Sequence, residues 1–326
     1  MFIPAYCSLQ FIEQITTRNP IDFVSPERLS ADRIHIDICD LILNGLSIKT
    51  DCSKEKIDEK VSTNPCLKYL IKEFRIKPAD NDFKELRLNE NSFIESLSEA
   101  TILFFLTGSD MLINNYVQKS GRHFFSLTSS FNVLFEEDIQ TFDPNENMSW
   151  QFARRFFNPH HSLIIADPYL FKEVTRNAIE DLLLEVKPEK LKTEYHITLI
   201  GSDINKKNDL PDKRQIETWE NKISKILNRY IPAVVEYHIF NNEEFHDRYL
   251  ITNNACIFSG YGIDIIKNER VKKDGTWIAF RPFKRVNVNG DNDVFFYKVM
   301  QKKLAMMKKW VEKSSNKISS NPLFRL

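Results

Sequence analysis

Short apolar runs alternate with amphipathic segments along the second half of the chain. The apolar residues of the amphipathic segments recur every three or four positions, as in residues 213–230, which is the spacing of a helix with one buried face. The predicted strands are 163–166, 195–200, 234–240, 249–252, 255–258 and 276–279, and the predicted helices are 170–186, 213–230 and 294–311. This order predicts a mixed sheet covered by helices, a layered α/β sandwich.

The first half has a different pattern. Residues 30–43 have helical spacing, with Gly45 at the C′ position that often ends a helix. The predicted strand 101–106, helix 111–118 and strand 123–127 form one β-α-β unit, so this half is also expected to be α/β. Acidic residues with Pro144 and Asn145 suggest a linker over 136–148. We therefore predict an α/β domain of unknown role over 1–147 and a second domain over 148–326.

Charge is divided unevenly along a chain that is neutral as a whole. The 326 residues contain 45 Lys and Arg and 45 Asp and Glu, but residues 1–150 hold 15 basic and 23 acidic side chains. Residues 265–326 carry 15 basic against 5 acidic ones. This excess is either an ordinary solvated face or a surface for a polyanion, and nucleic acid is the polyanionic partner we predict. A membrane surface is the less favoured partner.

Other features limit the compartment and the cofactors. The longest apolar runs fall far short of the ~20 residues of a spanning helix, and no Lys- or Arg-led apolar segment opens the chain, so we expect a cytoplasmic protein. The five cysteines never form a CxxC pair, which argues against disulfides and a zinc cluster. The pair His160-His161 lacks a further ligand at helical spacing. No metal and no cofactor are predicted.

The most informative segment runs from Glu244 to Asp264. It reads EFHDRYLITN, followed by IFSGYGID. An imidazole and a cation two residues apart at the start of a strand, then a short strand ending in Ser-Gly, resemble the HxKxxxxD motif of the phospholipase D superfamily. The likeness covers residues ~150–326 and is greatest for the His-Asp-Arg variant, known from the phospholipase-D-like domain that follows MIT modules.

The resemblance implies a metal-independent phosphodiesterase. His246 would be the nucleophile that forms a phosphohistidine, or the acid that protonates the leaving oxygen, and Arg248 would hold the phosphoryl oxygens. In a strand, residues i and i+2 point to the same side, so these two side chains can reach one phosphate. The same resemblance places Ser259 near the substrate as a hydroxyl donor.

The sequence departs from the family pattern in three ways. Arg248 replaces the usual Lys, which keeps the charge and adds a two-donor fork. Asn253 replaces the usual Asp, and Asp264 or Glu244 could supply the missing carboxylate. No other histidine has Lys or Arg two residues later, so an active enzyme would need a homodimer to bring two copies of His246 together.

Asp167 is a further candidate for substrate binding. It follows a buried strand, as Asp203 does, and open α/β sheets keep their sites at strand ends. The alternative is that both residues only cap the next turn or helix.

The sequence leaves two candidate functions for the protein. The first is a phosphodiesterase, and more narrowly a nuclease, acting through His246 and Arg248. The second is an inactive phospholipase-D-like module that binds phospholipid headgroups, nucleic acid or a protein partner.

Overall fold

A computed structural model describes the chain as two compact units. The first contains residues 1–118 and 122–133, and the second contains 119–121 and 134–325. The described residues are 3–17, 35–79, 97, 102–105, 111–126, 131–170, 172–189, 191, 193–202, 213–240, 248–260, 262–267, 270–272, 275–288, 291–315 and 319–325. The α/β class predicted from the sequence is confirmed, since sheets and helices alternate along the chain.

The first unit contains a five-stranded parallel sheet in the order β3-β2-β1-β4-β5. Its strands are β1 Ile3–Cys7, β2 Leu46–Thr50, β3 Ile76–Lys77, β4 Ile102–Phe105 and β5 His123–Ser126. Its helices are α1 Leu9–Thr17, α2 Lys54–Val61, α3 Pro65–Lys72 and α4 Met111–Ser120. The apolar first segment, Ile3–Cys7, is the middle strand, and it is almost fully buried because both neighbours pair with it.

The helix predicted over 30–43 ends differently from the prediction. Residues 35–40 are helical, and a wide π-type turn, Leu41–Gly45, continues directly into β2. Gly45 is thus the last residue of the helix rather than the residue after it. Gly121 and Gly262 are the glycines with positive φ in the described part of the chain, so Gly45 does not adopt the left-handed C′ conformation.

The second unit contains a seven-stranded mixed sheet in the order β6-β14-β11-β10-β7-β8-β9. Strands β7, β8 and β9 are parallel, and the other neighbouring pairs are antiparallel. The strands are β6 Glu137–Phe142, β7 Ser162–Ala166, β8 Tyr195–Ser202, β9 Ala233–Phe240, β10 Tyr249–Thr252, β11 Cys256–Ser259 and β14 Gly275–Phe280. The short pairs β12 Ile266–Lys267 with β13 Arg270–Val271, and β15 Arg285–Val288 with β16 Asp291–Phe295, stand outside this sheet.

Helices cover both faces of this sheet. The helices of the second unit are α5 Arg154–Phe157, α6 Glu173–Val186, α7 Lys213–Leu227 and α8 Phe296–Ser315. Leu163 and Leu250 face one side and pack in a core with residues of α6 and α7. Phe258, one residue after a member of that core, faces the other side and packs edge-to-face with Phe296 of α8, with 6.0 Å between ring centroids. The period-two alternation of the strands therefore produces three layers.

The boundary between the units differs from the predicted division at 147/148. The segment expected to be a linker contains β6, whose six residues all pair with β14. Phe142 at its end is 3% exposed and packs edge-to-face with Trp277, with 6.1 Å between ring centroids. The strand is hard to recognise in the sequence because it lies at the sheet edge, where charged side chains are favoured.

The last helix, α8, buries one apolar face. Its buried side chains are Phe296, Tyr297, Met300, Leu304, Met307, Trp310 and Val311. The lysines on the opposite face, Lys298, Lys302, Lys309 and Lys313, are exposed. The apolar face is thus committed to the core, and the lysine face is open to a partner. None of the described helices is long and apolar enough to cross a membrane.

Candidate functional site

Three strand ends meet at one edge of the seven-stranded sheet. Strand β10 runs antiparallel to β7 with Tyr249 opposite Ala166, so Arg248, directly before β10, lies at the same strand ends as Asp167, directly after β7. The Ser259 amide at the end of β11 donates to the Arg248 carbonyl at 3.1 Å. Antiparallel pairing therefore brings together three residues that are far apart in the sequence.

The Arg248 side chain is held by a hydrogen bond, but not all of its donors are hydrogen-bonded. Nη1 donates to the Gly260 carbonyl at 3.0 Å, and Nε lies 3.8 Å from Asp167 Oδ1. Nε is buried and makes no hydrogen bond to the described residues, whereas 18% of the side-chain surface as a whole remains exposed. A guanidinium fixed in this way keeps donors for an additional oxygen ligand.

Asp167 is the buried member of the pair, with 1% of its side chain exposed. Oδ1 accepts from the Tyr169 amide at 2.7 Å and Oδ2 from the Ile263 amide at 3.3 Å. Burial raises the pKa of this carboxyl, the two amides and Arg248 oppose the rise, and the neighbouring Asp264 adds to it. Asp167 thus caps the turn after β7 and orients Arg248, and its position is too enclosed for a direct substrate contact.

A glycine turn closes the site on the side of β11. Gly262 has φ 99° and ψ 174°, a conformation that is essentially restricted to glycine. A Cβ at this position would lie 3.2 Å from each of Arg248 Nε, Asp167 Oδ2 and Asp264 Oδ1. These three charged groups therefore surround Gly262, which leaves no room for a side chain. Asp264, the proposed substitute for the missing family carboxylate, thus faces Gly262, as Arg248 does.

Two residues predicted to bind substrate, Ser259 and Asn253, make other hydrogen bonds. The Ser259 hydroxyl donates to the Gly262 carbonyl at 3.1 Å and accepts from the Gly262 amide at 3.2 Å, so its hydrogen holds the turn rather than a substrate. Asn253 lies at the far end of β10 from Arg248, and its Oδ1 accepts from the His161 amide at 3.0 Å. The structure therefore does not bring Asn253 to the site.

His246 lies outside the described residues, as do Glu244 and Asp203. In the described part of the chain, no cluster of three or more His, Cys, Asp or Glu has the arrangement of a metal site. Three further residues near Arg248 were not predicted as site residues: Tyr169 and Lys172, which follow Asp167, and Gly262. The Asp-Pro-Tyr sequence after a buried strand and the Gly-Tyr-Gly sequence after β11 were the available signals.

Anion binding beside Asp167 is expected to strengthen as the pH falls. Protonation of Asp167, at a pKa above its usual range, removes a negative charge that otherwise offsets Arg248, so protonation and anion binding favour each other. The dissociation constant of a dialkyl phosphate would be measured from pH 8 down to about pH 4, the usual pKa of an aspartate. The His246→Ala protein would be used, because protonation of His246 would act in the same direction. An affinity that falls or stays constant over this range would contradict the role given to Asp167.

Comparison with known proteins adds little. No protein-family model matches the chain, and no curated protein matches it. One solved structure, that of TrmBL2, described as an archaeal chromatin protein with a novel mode of DNA binding, aligns with 94% of this chain and 98% of its own. The identity is 12% and the TM-score 0.26, which is too low to indicate a shared fold.

Proposed function

We propose that the second unit hydrolyses phosphodiesters without a metal, through His246 and Arg248. The observation that carries the proposal is the Arg248 guanidinium, which is fixed by Gly260, faces Asp167, and remains partly exposed with hydrogen-bonding capacity unused. Phosphoryl oxygens, like carboxylate oxygens, match the donor geometry of such a fork. The His-x-Arg spacing would bring the imidazole to the same phosphate if β10 extends back to His246.

The reaction would proceed in two steps. An imidazole nitrogen of His246 attacks phosphorus, the bond to the leaving oxygen breaks, and that oxygen takes a proton from a second imidazole. Water then attacks phosphorus and gives a proton to the second imidazole, and the bond between phosphorus and the His246 nitrogen breaks, which releases the phosphate product and the free imidazole. Arg248 neutralises charge on the phosphoryl oxygens throughout. Because the motif occurs once per chain, a second copy of the chain would supply the second imidazole.

The replacement of the family's aspartate by Asn253 is only weak evidence against activity. Asn253 accepts a backbone hydrogen bond at the opposite end of β10, whereas Asp264 and Arg248 both lie around Gly262. A test of the proposal is hydrolysis of a chromogenic phosphodiester by the purified chain in EDTA, together with its mass by sedimentation. We expect turnover in the chelator and a dimer; a strict monomer without turnover would reject the enzymatic proposal.

The second candidate is a binding module without turnover. It is favoured by the position of the two histidines before β7. They do not lie near Arg248 and so cannot supply the second imidazole within one chain. His160 and His161 precede β7 at the opposite end of the sheet, and buried His160 is hydrogen-bonded to the Tyr195 hydroxyl at 2.8 Å. Phosphodiester binding with no hydrolysis by wild-type protein would favour this candidate.

Nucleic acid is the proposed polyanionic partner, and its binding is expected to weaken steeply with salt. Each phosphate neutralised by a lysine of α8 should cost about one decade of affinity per decade of salt, without sequence preference. Replacing the exposed Lys298, Lys302, Lys309 and Lys313 with glutamine should lower this slope, whereas replacing Lys68 and Lys72 of α3 serves as the control. Affinity for short DNA, RNA and anionic liposomes would be measured across a salt series. Strong liposome binding without nucleic-acid binding would reverse this choice of partner.

A further inference from the structure

An exposed aromatic ring stands beside the Arg248 site. Tyr169 is 38% exposed, although it follows the buried Asp167 by only two residues. Its amide donates to Asp167 Oδ1 at 2.7 Å, and the Leu170 amide donates to the Asp167 carbonyl at 3.1 Å. The carboxylate that orients Arg248 thus also fixes the turn that carries this ring.

Two cations flank the ring. The Arg248 guanidinium carbon lies 5.2 Å from the ring centroid, and the Lys172 ammonium nitrogen lies 4.4 Å from it. The Lys172 amide donates to the Tyr169 carbonyl at 3.0 Å, which fixes the lysine to the same turn. Both cations lie over the ring, so a base that stacks on it would take the place of a cation on the face that it covers and would still lie next to both.

Phosphate binding alone does not require the Tyr169 ring. A phosphate needs donors and positive charge, which Arg248 and Lys172 supply without an aromatic neighbour. An exposed cation–π contact is weak compared with the stacking of a base on an aromatic side chain. An exposed aromatic ring between cations is the combination by which proteins bind single-stranded nucleic acid, with the ring as a platform for a base and the cations on the backbone.

We propose that this site takes single-stranded nucleic acid, with one base stacked on Tyr169 and the adjoining phosphate bound by Arg248 and Lys172. The inference deepens the proposed function, since it rests on the anion site at Arg248, but it does not require hydrolysis. A duplex fits poorly because both faces of its bases are already covered by neighbouring bases. The strand must present an unstacked base at this edge of the sheet.

The experiment compares base-bearing and base-free strands. Fluorescence anisotropy would give the affinity of a short oligothymidylate, an abasic oligomer of equal length and a matched duplex, all on the His246→Ala background so that cleavage cannot intervene. Tyr169→Ala should weaken binding of the oligothymidylate by roughly 5- to 150-fold, the range of one lost base stack, and leave the abasic oligomer unchanged. Tyr169→Phe should retain the affinity, because the ring remains.

A matched control is available in the same unit. Tyr230 is 60% exposed and has the Lys187 ammonium 4.6 Å from its ring centroid, but it lies just after α7. Tyr230→Ala should leave all three affinities unchanged, and thermal unfolding would verify that each variant is folded. Equal losses for base-bearing and abasic strands in Tyr169→Ala, or no loss for either, would overturn the stacking role.

Failure of the two proposals can be told apart. If wild-type and Arg248→Ala proteins bind all strands equally, the anion site itself is rejected. If Arg248→Ala weakens binding and Tyr169→Ala does not, only the stacking inference is rejected. Binding of anionic vesicles that is insensitive to Tyr169→Ala, with no binding of single strands, would also reject it.

Discussion

Replacing His246 with alanine is expected to lower phosphodiester hydrolysis by about a thousandfold or more, because it removes the attacking nitrogen and, in the partner copy, the proton donor. The rate would be followed with a chromogenic diester in EDTA. His161→Ala is the control, since this histidine lies at the opposite end of β7 and its backbone contact to Asn253 survives the change.

Arg248→Lys extends this test. Lysine keeps the positive charge but loses the planar two-donor contact, so part of the activity should remain. Arg248→Ala should lower the activity further, because it also removes the positive charge next to β10. Activity that is destroyed by chelation but survives in His246→Ala would assign the chemistry to other residues, with the acidic side chains of the first unit as the next candidates.

Gly262→Ala is expected to damage both the stability of the second unit and anion binding. The φ of 99° with ψ 174° costs a non-glycine residue about 1–3 kcal/mol. The added methyl group would also lie 3.2 Å from Arg248 Nε and from two carboxylate oxygens, so the guanidinium must shift. Denaturant unfolding and the dissociation constant of a dialkyl phosphate would measure the two effects.

Gly260→Ala is the matched control for this substitution. Gly260 lies two residues earlier in the same turn, and a Cβ there would meet only the Thr276 carbonyl oxygen, at an ordinary 3.6 Å. We expect nearly unchanged stability and affinity. If the two variants behave alike, the close packing around Gly262 has no role in positioning Arg248.

Local periodicity predicted much of the second unit because its strands and helices are strongly patterned. The predicted strand 249–252 coincides with β10, and the predicted helix 213–230 begins with α7 and ends three residues after it. Strand β6 was missed because Phe142 is its one buried side chain, and the remaining residues of an edge strand need no apolar pattern. The turn at Gly45 was misjudged because a π-type turn leads directly into β2.

The candidate site was predicted in part, through the motif that contains Arg248. Its spacing placed the arginine at the start of a strand, where the structure has it. The motif also grouped Asn253 and Ser259 with the arginine, but sequence proximity does not indicate which end of a strand a side chain serves. Asn253 lies one strand length away, and the hydrogen of Ser259 is used within its own turn.

The sequence by itself determined the α/β class, most of the buried strands and the cation at the start of β10, because these depend on period and spacing along the chain. Only the tertiary structure decided that Asp167, Arg248 and Gly262 meet, since the antiparallel register of β7 and β10 aligns residues about 80 positions apart. It also decided that Tyr169 stays exposed beside two cations. Contacts of this kind arise when distant segments pair, and a local sequence pattern does not predict such pairing.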